Sequence, residues 1–393
     1  MREKFCKYFD VISGYAFKST DLKVYSDVPV IKIGNISNGA DLIEDDSNQY
    51  VSKDFLKINE KYHINKDDIL ISLTGSHINQ PNSMVGRVCR SYRDKTYLLN
   101  QRAGKVIPKD DASKEYLFYL LSSKCIKEEI VNRAYGAANQ VNISPSAIGN
   151  IKWDFPSLDK QKKIGELLSF FDKLIIINNK RIKILEQMAE KLYKEWFVRF
   201  RFPGYENAEF VDGVPKRWKI VKLDEYVYIR AGGDRPKIYS DIPTENCAIP
   251  IFSNGIENDG LYGYTEKPII EKESITISAR GTVGFVCLRR VPFCPIVRLL
   301  ALTPKQDHVT AIFLYYLLKN DELIGNGTSQ QQITIPMVKK KKFLKPVSCL
   351  IKQFTEFADQ CWNEIDVLKQ QNQNLIKQRD YLLPRLMSGK IKV

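Results

Sequence analysis

The feature that most constrains the fold of this chain is an internal duplication, in which the second half loosely repeats the first in the same order. The apolar segment 69–73 aligns with 275–278, and the aromatic segment 117–121 aligns with 313–318. Each half runs through β-branched strands, glycine turns, a short aromatic-rich helix, a polar Gln/Asn turn and a long helix. Because a repeated order indicates repeated structural units, the sequence predicts an α+β fold of two tandem mixed α/β domains, each followed by a long helix.

Both long helices are predicted from apolar residues that recur at alternating steps of three and four, the spacing of a coiled-coil seam. Asn178 interrupts the first seam, and Asn372 and Arg379 interrupt the second. Helices of about 40 residues at ~1.5 Å per residue are ~60 Å long, more than a small domain can bury. We therefore expect the two helices to pair with each other, although a homodimeric zipper formed by each helix is an alternative.

An antiparallel coiled coil with aligned ends and pseudo-twofold symmetry is the expected form of this pairing. Its register sets three pairs of apolar residues opposite each other, namely Ile164 and Leu386, Leu185 and Ile365, and Leu192 and Ala358. The same register sets Asn178 against Asn372, where a buried amide pair would specify the register at some cost in stability. The alternative is that each asparagine lies on a solvated flank of its helix.

These patterns divide the chain into a first domain (1–157), a helix (158–201), a second domain (202–346) and a second helix (347–393). The formal net charge is +14, and each of the four segments has more basic than acidic residues. A positive charge spread in this way suits a protein that lies along a polyanion. The alternative is a cytosolic protein that is basic without such a partner.

Catalytic motifs are missing from the sequence. It contains neither a G-x-x-x-x-G-K-[ST] phosphate loop nor a G-x-G-x-x-G dinucleotide turn, and it lacks the Asn/Asp-Pro-Pro-aromatic tetrad that grips a flipped base. The 8 cysteines include no C-x-x-C pair, and there are only 3 histidines, which argues against a zinc site. We therefore expect a protein without catalytic residues, cofactor or metal, in which His77 is a turn residue rather than a base.

The cellular location is predicted from the distribution of apolar residues. The first residues lack the apolar core of a secretory signal, and no apolar run approaches the ~20 residues that a bilayer span requires. We expect a soluble, cytoplasmic protein that has no membrane partner.

Several segments resemble type I restriction–modification specificity (S) subunits. The helix start at 158–174, the segments 195–204 and 214–218, and the C-terminal 382–391 are similar to conserved parts of that family. The run Ile277-Ser-Ala-Arg-Gly-Thr-Val-Gly284 is similar to a signature inside its target recognition domains. The order and duplication of these segments, rather than any single motif, make the resemblance specific.

The resemblance implies a non-catalytic DNA-recognition subunit. In that family each target recognition domain reads one half of a split site in double-stranded DNA, and the helix pair fixes the distance between the halves. Two methyltransferase (M) subunits dock on the chain and make N6-methyladenine, and restriction (R) subunits, when present, add cleavage. The alternatives are the recognition part of a fused single-chain restriction–methylation enzyme and a stand-alone DNA-binding regulator.

Candidate DNA-binding residues are polar side chains in predicted turns, because Arg and Lys can bridge two atoms of guanine and Asn and Gln two atoms of adenine. In the first domain the candidates are Thr74, Ser76, His77, Asn79, Gln80, Asn139 and Gln140. In the second domain they are Arg230, Arg235, Lys237, Arg280, Thr282, Gln330, Gln331 and Gln332. For each loop the alternative is an ordinary hydrated turn, since these residue types are common in turns without any ligand.

Overall fold

The protein folds as two compact units, Met1–Asn178 with Gln370–Val393, and Asn179–Lys369. The structure is a computed structural model that describes residues 2–39, 41–44, 48–76, 85–137, 140–306, 308–320 and 332–393. The α-helices are α1 (Lys114–Ser122), α2 (Lys124–Asn132), α3 (Pro145–Gly149), α4 (Leu158–Tyr193), α5 (Ala311–Lys319), α6 (Ile335–Lys340) and α7 (Ser348–Met387). None of these helices is both long and apolar enough to cross a membrane.

The first unit contains three sheets and a short edge ladder. Its strands are β1 (Glu3–Lys4), β2 (Phe9–Ser13), β3 (Val28–Ile31), β4 (Gln49–Val51), β5 (His63–Ile64), β6 (Ile69–Ser72), β7 (Thr74–Gly75), β8 (Val88–Arg90), β9 (Tyr97–Leu99), β10 (Ala103–Pro108), β11 (Tyr135–Ala137), β12 (Gln140–Asn142) and β13 (Lys152–Trp153). The sheet orders are β2-β10-β6-β8, β4-β3-β9-β5 and β11-β12-β7, and β1 pairs with β13. Only the β3–β9 pair is parallel among the strand pairs described in this unit.

The second unit repeats this plan. Its strands are β14 (Phe210–Val211), β15 (Val214–Pro215), β16 (Lys219–Lys222), β17 (Val227–Ala231), β18 (Tyr239–Ser240), β19 (Ile249–Phe252), β20 (Leu261–Thr265), β21 (Ser274–Ile277), β22 (Val286–Arg289), β23 (Cys294–Pro295), β24 (Leu300–Pro304) and β25 (Lys342–Lys345). The sheet orders are β17-β24-β21-β22 and β18-β20-β19-β23, with the pairs β14–β15 and β16–β25.

The duplication and the α+β fold predicted from the sequence are confirmed in the main sheets and helices of the two units. The antiparallel sheet β2-β10-β6-β8 corresponds to β17-β24-β21-β22, and each unit has one parallel pair, β3–β9 or β19–β23. The helices α1 and α5 follow the equivalent strands β10 and β24, and each begins at a hydroxyl side chain that caps it. Ser113 accepts from the Tyr116 N–H and Thr310 from the Phe313 N–H, which satisfies backbone donors at each helix start.

In the first unit, the beginning of α4 packs against the end of α7 in antiparallel fashion. Ile164 and Leu386 belong to the same buried core. Asn178 donates from Nδ2 to Asn372 Oδ1 at 2.9 Å, and both residues are buried. The register expected from the sequence set these two amides opposite each other, and the alternative of solvated flanks does not apply.

A second polar contact joins the same two helix segments. Arg379 Nη1 lies 2.6 Å from Asp172 Oδ1, and the two side chains are only 19% and 8% exposed. The Tyr119 hydroxyl donates to the other carboxylate oxygen of Asp172 at 2.5 Å. Burial and the neighbouring Asp172 carboxylate raise the pKa of Tyr119, so its hydroxyl stays protonated and acts as a donor. In the sequence Arg379 is recognisable only as an interruption of the seam, and nothing there indicates its partner.

In the second unit, the end of α4 packs against the beginning of α7. Ala358 and Ile365 are fully buried, and Leu185 and Leu192 pack against the same core. On the solvent side, Arg181 Nη2 lies 2.8 Å from Glu364 Oε1, and both side chains are largely exposed. Residue numbers again increase along α4 as those of its partners on α7 decrease, so the pairing is antiparallel here as well.

The first long helix ends at Tyr193, earlier than residue 201, where the sequence predicted its end. After α4 a π-helical turn runs through Lys194–Val198. Phe200 then adopts a left-handed conformation with φ of 57°, and the Arg201 N–H donates to the Glu195 carbonyl at 2.7 Å. Because a left-handed residue commonly terminates a helix, Phe200 ends the helical conformation before the chain reaches the proline.

The buried Asp172–Arg379 pair generates a prediction about stability. Arg379→Met should lower the free energy of unfolding by about 3–5 kcal/mol, since it leaves a buried carboxylate without its cation. Asp172→Leu combined with Arg379→Met should recover most of this loss, because the uncompensated charge is then absent. Urea denaturation of the full chain measures both effects.

The matched control is Arg181→Met, which removes an exposed ion pair that is expected to contribute at most about 1 kcal/mol. If Arg379→Met were no more destabilising than Arg181→Met, the buried pair would not be a principal contact of the first unit.

Candidate nucleic-acid interface

The two candidate loops of the first unit are joined by one small sheet. Val141 in β12 is paired with Gly75 in β7, so the start of β12 lies beside the end of β7. Gln140 is exposed at that start, whereas Ser76 is half-buried. His77, Asn79, Gln80 and Asn139 lie outside the described residues. The sheet therefore explains how two segments far apart in sequence form one surface.

Thr74 has a supporting role within that surface. Its side chain is 5% exposed, and its hydroxyl donates to Asn142 Oδ1 at 2.7 Å across the β7–β12 pair. A hydroxyl engaged in this way holds the two strands together and is not directed at solvent. Among the first-unit candidates that the structure describes, Gln140 is the side chain most available to a ligand.

In the second unit, Arg280 and Gln332 meet at the mouth of a cavity of about 880 Å³. Arg280 is exposed, and its Nη2 lies 3.4 Å from Gln332 Oε1. The Thr282 hydroxyl in the lining is buried and has no hydrogen-bond partner among the described residues. Gln330 and Gln331 lie outside the described residues. The cavity thus combines a cation, an amide and an unsatisfied hydroxyl, which can together bind a polar ligand edge.

A second basic cluster lies around β17 and β18. Arg230, Arg235 and Lys237 are all exposed. The Arg235 guanidinium lies 4.0 Å from the centroid of the Tyr239 ring and donates to the Tyr262 hydroxyl at 3.1 Å. The hydrogen bond to Tyr262 raises the pKa of Arg235, which keeps the group cationic. Neither tyrosine was predicted from the sequence: Tyr239 follows Arg235 by only four residues, whereas Tyr262 lies in β20 and gives no local signal near the arginine.

Buried cysteines contribute no reactive thiol to either unit. Burial raises the pKa of Cys89 to about 12 and that of Cys287 to about 11, so both remain protonated at neutral pH. Within the described ranges, no group of three or more His, Cys, Asp or Glu residues is arranged to hold a metal ion.

The corner between β23 and β24 is a feature that the sequence did not indicate. Val297 and Arg298 have φ values of 52° and 61°, in the left-handed region that β-branched residues rarely adopt. Such residues cost of order 1–3 kcal/mol each and persist only where surrounding contacts hold them. Asn254 supplies such contacts, because its Nδ2 donates to the Val297 carbonyl at 2.6 Å and its Oδ1 accepts from the Ala279 N–H at 2.8 Å. One side chain therefore ties the strained corner to the turn that carries Arg280.

Comparison with known proteins places these units in a family. Residues 6–187 and 215–378 match the family described as type I restriction modification DNA specificity domain, once in each half of the chain. The chain belongs to this family. The resemblance found in the sequence is thereby confirmed, and the two matches coincide with the duplication of the specificity domain seen in the fold.

Full-length relatives carry the same family name. The chain is 26% identical over 409 residues to the type I restriction enzyme MjaIX specificity subunit of Methanocaldococcus jannaschii, covering 97% of this chain and 91% of that protein. It is 24% identical to the HindI specificity subunit of Haemophilus influenzae, covering 94% and 96%. The crystal structure of a type I restriction–modification S subunit from M. genitalium has the same fold, with a TM-score of 0.60 at 18% identity and coverage of 98% and 95%.

The left-handed corner of this specificity domain generates a prediction. Val297→Asn should raise the free energy of unfolding by about 1 kcal/mol, because asparagine tolerates the left-handed region better than valine. Val297 is 57% exposed, so little apolar burial is lost. Thermal unfolding monitored by circular dichroism measures the change.

Val291→Asn serves as its control, since Val291 is 52% exposed and does not have a positive φ. The control should change stability by no more than about 0.5 kcal/mol. A Val297→Asn variant that is less stable than the Val291→Asn variant would show that the corner is not strained.

Proposed function

We propose that this chain is the sequence-specific DNA-recognition subunit of a type I restriction–modification system, without catalytic activity of its own. The observation that carries the proposal is the duplicated specificity domain with different side chains at equivalent turns. In the first unit the Gly86 N–H donates to the Ser72 carbonyl at 3.0 Å, and in the second the Gly284 N–H donates to the Ser278 carbonyl at 2.9 Å. These matching bonds align the turns that follow the two serines.

Side chains at the aligned positions differ between the units. The exposed Arg280 occupies the position of the buried Thr74, and Thr282 that of Ser76, while the strands of the main antiparallel sheet keep the same order. A constant frame with variable polar turns suits two domains that read different base sequences, because readout depends on donors and acceptors presented to base edges. We propose that each domain, 1–157 and 202–346, binds one half of a bipartite site in double-stranded DNA.

The helices 158–201 and 347–393 are proposed to fix the spacing between the half-sites. Buried polar contacts within the first unit oppose sliding of one helix along the other. A shift of one helical turn would separate Asn178 from Asn372 and Asp172 from Arg379, which would leave buried polar groups unpaired. A pairing with one favoured register can act as a ruler of defined length.

Docking of methyltransferase subunits is supported by a second apolar seam on α4. In the first unit Leu167, Phe170 and Ile177 are exposed, and in the second unit Ile184 and Met188 are exposed. Steps of three, seven, seven and four residues separate them, which keeps them in the heptad register of a coiled coil, and all five are exposed. Exposed apolar residues in register suit a helical partner. We propose that two M subunits, and R subunits where present, assemble with this chain in the cytoplasm.

The function is tested by mapping methylated adenines in cells that express the chain with its M subunits. Replacing Arg280 and Gln332 by alanine should relax one half of the recognised sequence only, at about 1–3 kcal/mol for each lost bidentate contact. Replacing Gln140 together with Asn79 and Gln80 should alter only the other half. Lys124→Ala, whose side chain is 92% exposed on α2, is the control and should leave both halves intact.

A substitution in one domain that changed both half-sequences would contradict the split-reader proposal. Methyl transfer from S-adenosylmethionine by the repurified chain alone would contradict the proposal that the subunit is non-catalytic.

A further inference from the structure

The corner that carries Arg298 is held rigidly by backbone hydrogen bonds to the glycine turn after β17. The Val297 N–H donates to the Gly233 carbonyl at 2.8 Å, and the Arg298 N–H donates to the Gly232 carbonyl at 3.0 Å. In return, the Gly232 N–H donates to the Leu299 carbonyl at 2.8 Å. Leu299 is fully buried, so Arg298 projects from a backbone that is anchored in the core.

The first unit contains the same corner at a different sequence. The Gly14 N–H donates to the Ala103 carbonyl at 3.0 Å, and the Gln101 N–H donates to the Tyr15 carbonyl at 3.0 Å. These bonds match those of Gly232 with Leu299 and of Val297 with Gly233, so Arg102 is the counterpart of Arg298. Only the second-unit corner is left-handed, but these two hydrogen bonds and the exposed arginine recur in both.

Close backbone approach makes glycine necessary on the facing turn in each unit. A Cβ at Gly14 would lie 2.4 Å from the carbonyl oxygens of Leu99 and Asn100, and a Cβ at Gly232 would lie 2.7 Å from the Ile296 nitrogen. Both distances are far inside van der Waals contact. The corner is therefore a structural feature that both copies of the domain share.

Both arginines carry uncompensated charge. Arg102 and Arg298 are exposed, and neither side chain has a hydrogen bond or ion pair with another residue in the part of the chain that the structure describes. Buried Arg90, in contrast, lies 3.1 Å from the carboxylates of Asp67 and Glu115. A guanidinium held on a rigid corner without an internal partner is available to an external anion.

We infer that Arg102 and Arg298 are equivalent phosphate-contacting residues, one in each domain, which anchor the domain on the DNA backbone without reading bases. The inference rests on the proposed DNA-recognition function. Residues that differ between the two domains are suited to reading different half-sequences. A residue that both domains have is suited to binding a feature that both half-sites contain. The sugar–phosphate backbone is that shared feature, and arginine binds phosphate oxygens in a bidentate manner.

The test measures DNA affinity of the full chain assembled with its M subunits, on a duplex with the recognised site and on a random duplex, over a range of salt concentrations. Arg298→Ala and Arg102→Ala should each weaken binding to both duplexes by the same factor. Each should also reduce the slope of log K against log salt by about 0.9, the value expected for one lost phosphate contact. The methylated sequence should not change.

Replacement of each arginine by lysine distinguishes a phosphate contact from a base contact. Arg298→Lys and Arg102→Lys should retain most of the salt slope, because a phosphate accepts a point charge, whereas a bidentate base contact would not tolerate lysine. Arg217→Ala removes an exposed arginine beside Phe202 and Leu350, away from the corner, and should leave the slope unchanged. Circular dichroism melts establish that each variant is folded.

An unchanged salt slope in the alanine variants would overturn the inference, as would a change in the recognised half-sequence, which would make the arginine a base reader. If only one of the two alanine substitutions reduced the salt slope, Arg102 and Arg298 would not be equivalent. Failure of the proposed function is distinguishable, because the wild-type complex would then show no preference for any duplex.

Discussion

The antiparallel contact between α4 and the end of α7 is the interaction on which the first unit depends. It joins Asp172 to Arg379, 207 positions apart in the chain, through an ion pair of 2.6 Å that the Tyr119 hydroxyl completes. Charges removed from water cost several kcal/mol each unless they are paired and hydrogen-bonded. The network meets that condition, and it does so with one residue from each of three helices, α1, α4 and α7. The C-terminal segment of the chain is therefore an integral part of the first unit.

In the second unit the equivalent contact between α4 and α7 is made by uncharged residues. The long helices align at an offset of 190 residues, which sets Ile164 in one buried core equivalent to Phe354 in the other. At this offset Trp362 occupies the position of Asp172, and Ala189 occupies the position of Arg379. Ala189 is fully buried, and the Trp362 ring packs edge-on against Tyr315 at a centroid distance of 5.5 Å. If two copies of α4 paired in the same register, Asp172 would face Ala189. If two copies of α7 paired, Arg379 would face Trp362. The polar contact therefore favours pairing of the two different halves over pairing of identical ones.

Patterns that repeat along the chain were predictable from the sequence. Periodicity gave both long helices and their antiparallel register, which set Asn178 opposite Asn372, and these amides are hydrogen-bonded at 2.9 Å. Self-comparison gave the tandem domains, because equivalent strands have similar apolar content. Contacts between distant polar residues were not predictable, since nothing near Arg379 in sequence indicates Asp172. Likewise, the burial of Thr74 and the left-handed corner at Arg298 depend on strands that come together only in the fold.

The proposed division of labour places variable turns on a constant frame and leaves the spacing of the half-sites to the helices. Matched deletion of one heptad from each helix, residues 179–185 and 365–371, tests this claim most directly. It preserves the seam and the Asn178–Asn372 pair, and it shortens the helices by ~10 Å, about three base-pair steps. Mapping of methylated adenines should then return the same two half-sequences separated by a spacer about three base pairs shorter. Methylation at the original spacing by the folded, assembled variant would contradict the claim that the helices are the ruler.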